Sequence, residues 1–144
     1  MNYSSLALAA LGGTVASFGF GFLVMWLAPA LFEEPRKYPA VFRAKEEMMS
    51  VMPIGFASTL IAIVVVTIIF AMTHPRGSGA VEGAAEGARL GVLIGIFAVC
   101  HVANNYMNLN IGLKLSLGQA AAYFVQWTIT VIVIGLIYKP LATP

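Results

Sequence analysis

The sequence predicts an all-α membrane protein, a bundle of four transmembrane helices, and three observations carry that prediction. Of its 144 residues, 60% are hydrophobic and 10% charged, with a mean hydropathy of +0.89; no soluble domain of this size could hide so many apolar side chains. The apolar residues gather into four stretches, 6–31, 48–72, 88–107 and 115–138. Each can cross a hydrocarbon layer of roughly 30 Å at about 1.5 Å per residue, and none alternates with period two as a barrel strand would. Residues 1–144 are therefore read as one four-span domain, with no room for a soluble catalytic domain.

The first stretch has no Lys or Arg before it and is too long for the core of a signal peptide, so it is read as a retained span. Tyr3, Trp26 and Tyr138 fall near span ends, where amphipathic rings prefer the membrane interface. The segment EEPRKYPAVFRAKEE, residues 33–47, is the charge-dense connection. Pro35 and Pro39 are expected to break the first helix, with the second starting in water near Ala40 and Pro53 kinking its entry. The second connection, HPRGSGAVEGAAEG at 74–87, reads as a flexible glycine-rich loop. Residues 109–114 read as a tight turn that makes the third and fourth spans antiparallel neighbours.

Four spans put both termini and the second loop on one side of the membrane. That side carries Arg76, Arg89 and Lys139, against Arg36, Lys37, Arg43, Lys45 and Lys114 on the other. The excess of basic residues places the first and third loops in the cytoplasm and both termini outside. The net charge of +2 comes from eight Lys and Arg against six Glu, spread over loops and helix ends. Without a basic face, nucleic acid is not an expected partner. Cys100 is the one cysteine and lies in an apolar run, so a disulfide framework and a CxxC metal site are both excluded within one chain. No nucleophile–base pair or metal-ligand cluster is visible, so no catalytic residue, metal or cofactor is expected. A haem on His101 would lack a second histidine at its depth, because His74 belongs to the opposite face.

Small residues recur at every fourth position on two spans. Ala9, Gly13, Ser17 and Gly21 line the first; Gly87, Gly91 and Gly95 line the third, with Ala98 close by. Such ridges let helix backbones approach closely. Two readings follow, packing inside one bundle or a seam between two copies.

The stretch HVANNYMNLN, residues 101–110, loads polar groups onto the end of an apolar span. At 100° per residue His101, Asn104, Asn105 and Asn108 occupy an arc of about 100° beside the glycine stripe. Gln119, Tyr123, Gln126 and Thr130 of the fourth span fall within about 60° of one another. Folding about the turn is expected to bring Asn105 level with Gln119 and His101 level with Tyr123. Polar groups bare in hydrocarbon cost several kcal/mol each, so both faces are expected to point into the bundle. They would serve there as interhelical hydrogen-bonding glue, or line a polar pocket between the third and fourth spans for a small molecule, proton or ion. No acidic residue lies in a span core, which favours a neutral ligand over an ion path. His101 has no neighbouring carboxylate and is expected as a neutral imidazole.

The run GFLVMWLAPALFEEP after a glycine-dotted first span, GARLGVLIGIFAVCHVANNYMNLN in the third, and a fourth span with Tyr near its start and Gly near its end resemble the bacterial membrane proteins called domain of unknown function 1761. The residues that carry the resemblance are Trp26, Pro29, Leu31, Phe32, Gly91, Asn104, Asn105, Tyr106, Leu115 and Tyr123. It departs at Leu27 and Ala28, where an aromatic and a glycine would stand, and in the acidic residues after Phe32. The resemblance covers most of the chain and implies a four-helix protein of a bacterial inner membrane, with no activity attached. The expected function is an accessory, structural or partner-binding subunit of a membrane complex. Its partners would be the lipid bilayer and another membrane protein or further copies of the chain. The alternative is a binding or permeation module built on the polar pocket.

Overall fold

The computed structural model describes residues 2–74 and 79–140, with the side chains of Phe32, Lys45 and Glu46 left out. The order is α1 (Tyr3–Leu27), a short α2 (Pro29–Glu33), a 3-10 turn (Glu34–Lys37), then α3 (Lys45–Thr73), α4 (Ala80–Asn108) and α5 (Leu113–Ile137). The four long helices are each apolar and long enough to cross a membrane. The chain is an all-α, multi-pass membrane bundle.

Helix α1 starts under an Asn2 cap, whose side chain accepts from the Ser5 N–H at 3.2 Å. It ends at Leu27, short of the Leu31 expected from hydropathy, and Pro29 is the cause. A residue before proline is pushed out of the helical region, and Ala28 sits at φ −132°, ψ 58°. Pro29 then opens α2 at a position that needs no N–H. Segment 29–43 folds back over the start of α5: Leu31 lies against Gly118, and the Tyr38 hydroxyl lies where a Cβ on Gly112 would project. Within it Lys37 pairs with Glu34 at 2.7 Å, and that carboxylate raises the Lys37 ammonium above its ordinary value.

The largest difference from the sequence expectation lies in the second connection. Residues from Ala80 onward are helix, so α4 gains more than two turns at its N-terminal end. Gly83 and Gly87 lie on this added length and are buried against α5. A pattern that reads locally as a flexible loop becomes helix because its glycines form a contact surface, which outweighs their poor helix propensity of about 1 kcal/mol each.

Helix α5 is the hub. It packs along its length against α4, along another face against α1, and more sparingly against α3. The core gathers Ala9 of α1, Ile63, Val66, Phe70 and Ala71 of α3, and Val131, Ile134 and Tyr138 of α5, with Leu90, Ile94 and Trp127 packed against it. Tyr138 turns inward: its ring meets that of Phe70 edge-on at 6.1 Å. Tyr3 and Trp26 do stand exposed at the ends of α1. Ser5 Oγ accepts the Lys139 N–H at 2.6 Å and ties α1 to the end of α5.

Candidate functional site

Close approach of α4 and α5 sets which face of α4 is left to carry its polar side chains. A Cβ added at Gly83 would collide with the Gly135 carbonyl, and one at Gly87 with the Val131 carbonyl. At Gly91 it would lie 2.9 Å from the Thr128 Cα, and at Gly95 2.8 Å from the Phe124 ring. Four glycines at four-residue spacing thus set the two backbones against one another, which only the smallest side chain permits. The seam lies within one chain. On α1, Gly13 receives Ile134 and Ile63, at 2.8 and 3.3 Å from its would-be Cβ, and Ser17 is buried. Gly21, on the same expected ridge, has nothing within 4 Å.

With glycine occupying the α4–α5 seam, the expected polar cluster does not close between these helices. Continuing the Gly95–Phe124 pairing down antiparallel helices sets His101 opposite Gly118 and Tyr123 opposite Ile96, out of register with one another. The turn is shorter than expected, since α4 runs to Asn108 and α5 begins at Leu113. His101, Asn104, Asn108 and Tyr123 are exposed on the flank of the bundle, while Asn105, Gln119 and Gln126 are half-buried. Three hydrogen-bonded pairs form among the candidates. Asn108 Nδ2 donates to the Asn104 carbonyl at 2.8 Å and to its Oδ1 at 3.3 Å. Gln126 Nε2 donates to Ser17 Oγ at 2.8 Å, joining α5 to α1. Thr130 is buried and its hydroxyl bonds the Gln126 carbonyl of its own helix. Among the described residues, His101, Asn105, Gln119 and Tyr123 make no side-chain hydrogen bond.

The open flank has a structural origin in the course of α3. Its inward stripe is buried from Ile63 to Phe70 but exposed at Met52 and Phe56. At that level α3 has moved over to α1, where Phe56 meets Phe18 edge-on at 5.2 Å. The matching faces of α4 and α5 show the same change: Leu90, Ile94 and Trp127 are packed, whereas Phe97 is 76% and Tyr123 45% exposed. His101 and Asn104 lie on this uncovered stretch. At about 1.5 Å per residue they sit roughly 10 and 6 Å in from the Asn108 end of α4.

A second polar group, unrecognised in the sequence, closes the opposite end. His74 stacks on Phe70 with centroids 4.4 Å apart. Its Nε2 lies 3.3 Å from Glu86 of α4, and Glu86 also pairs with Arg89. The signal was hidden because Glu86 falls in the segment that reads as loop. Only once 80–87 is helical does Glu86 reach across to α3. Among the described residues, no group of three His, Cys, Asp or Glu could hold a metal ion. No family model, curated protein or solved structure matches the chain.

Proposed function

We propose that this chain is a partner-binding subunit of a membrane complex, and that the flank formed by Phe97, His101 and Asn104 of α4 with Tyr123 of α5 is its docking surface. One observation carries the reading: His101, Asn104 and Tyr123 stand exposed on the outside of the bundle, on helices apolar and long enough to cross a membrane, and hydrocarbon offers such groups no hydrogen bond. An internal pocket between α4 and α5 fits less well, because glycine contacts fill that seam as far as Gly95 and Val102 and Leu115 are buried beyond it. An intramembrane histidine and amides facing outward are met most economically by polar groups of another membrane helix. A bacterial inner membrane is the proposed setting. The two basic-richer connections, 33–47 and 109–114, are proposed to face the cytoplasm.

A photo-crosslinking amino acid placed at Phe97 tests the surface in native membranes. The expected result is a discrete protein adduct from Phe97, with none from Phe22, which is exposed on α1. Adducts to lipid alone at both positions would refute the docking surface.

A further inference from the structure

We infer that the partner seated on this flank is a second copy of the same chain, arranged about a two-fold axis along the membrane normal; the inference rests on the docking reading above. Three features of the flank support a self-partner. The exposed stripe of His101, Asn104 and Asn108 contains no Asp, Glu, Lys or Arg, so two copies meet without like-charge repulsion. Each of its groups, an imidazole or a primary amide, can both donate and accept, and Tyr123 on α5 adds a hydroxyl that does the same. A residue close to a two-fold axis faces its own counterpart, and only groups of this kind can pair with themselves.

Depth supplies the third argument. Polar groups at an interface between membrane helices must sit at matched heights along the bundle, and His101 and Asn104 lie roughly 10 and 6 Å in from the Asn108 end of α4. A different partner would need polar residues placed at the same depths. A second copy inserted with the same topology has them there by construction. The exposed apolar neighbours Leu93, Phe97 and Met107 on α4 provide surface around the polar stripe, and the glycine ridge, already occupied by α5 within the chain, is not needed for the contact.

Oxidative cross-linking in native membranes tests this, with the full chain carrying Cys100→Ala and one introduced cysteine. Asn104→Cys probes the stripe directly, and Phe97→Cys leaves every polar group in place. Phe22→Cys on α1 is the control in the same half of the membrane. Expected is a disulfide-linked species of twice the chain mass from Asn104→Cys and Phe97→Cys, and monomer from Phe22→Cys. When differently tagged copies are co-expressed, the species should carry both tags. In detergent, Asn104→Leu should raise the dimer dissociation constant about eightfold, the effect of losing two symmetry-related side-chain hydrogen bonds of ordinary membrane strength. Equal cross-linking at all three positions would overturn the inference. Monomer alone from both flank positions while the photo-crosslinker at Phe97 captures a different protein would overturn the self-partner and leave the docking surface standing, whereas monomer alone here together with lipid adducts alone there would overturn both.

Discussion

Gln126 of α5 donates to Ser17 Oγ of α1 at 2.8 Å, joining a residue from the polar stripe of the fourth span to one from the small-residue ridge of the first. Ser17 is buried and Gln126 half-buried, so the bond lies inside the bundle. In a double-mutant cycle, Gln126→Ala and Ser17→Ala should couple by roughly 0.6 to 1.7 kcal/mol, the average and the maximum for hydrogen bonds between membrane helices. Thermal or denaturant unfolding in detergent is the measurement, and additive losses would show that the contact contributes nothing.

Glycines on the helix faces should divide sharply. Gly83→Ala drives a methyl group into the Gly135 carbonyl. The helices must then separate, so a loss of about 1–3 kcal/mol is expected, as for other overpacked sites. Gly21→Ala enters open space and should be neutral, or stabilising by up to about 1 kcal/mol through helix propensity. Equal losses at both positions, read by unfolding in detergent, would dissolve the α4–α5 seam.

Ser116, in the first turn of α5, is buried, and its Oγ has no hydrogen-bond partner among the described residues. Removing an unpaired buried hydroxyl relieves a desolvation cost, so Ser116→Ala should be neutral or stabilising by up to about 1 kcal/mol. A clear drop in melting temperature would show that the hydroxyl has a partner in the membrane.

Lys37 gives a pH expectation outside the spans. Glu34 raises its pKa, so the pair's contribution is complete below the ordinary lysine value of 10.5 and is lost as pH rises through the higher folded value. Lys37 is exposed, and exposed pairs contribute little. Lys37→Met should therefore leave the melting temperature nearly unchanged at pH 7, and any difference from the parent chain should disappear in strong alkali.

Orientation is tested by thiol labelling in a Cys100→Ala background. If the basic-richer connections face the cytoplasm, Val81→Cys, exposed near the start of α4, should react with an impermeant reagent in intact cells. Ala44→Cys should react only after permeabilisation. The reverse pattern would invert the topology.

By itself the sequence determined that this is a four-span helical membrane protein, because four long apolar stretches leave the backbone no other way to satisfy its hydrogen bonds in lipid. It also marked Gly87, Gly91 and Gly95 as a ridge, since a four-residue period lies on one helix face whatever the partner. What fills that ridge is a tertiary matter: only the fold shows that α5 does, and that Gly83 extends it, because helix formation at 80–87 depends on long-range contact with Val131 and Gly135. The polar residues show the same division. Periodicity put His101, Asn104 and Asn108 on one face of a helix, but which way that face looks depends on how closely the neighbouring backbone approaches. Glycine draws α5 onto the adjoining face and α3 leans away toward Phe18. These two packing choices, invisible to any local pattern, turn the stripe outward and leave Gln126 to find Ser17 on a helix more than a hundred residues away in sequence.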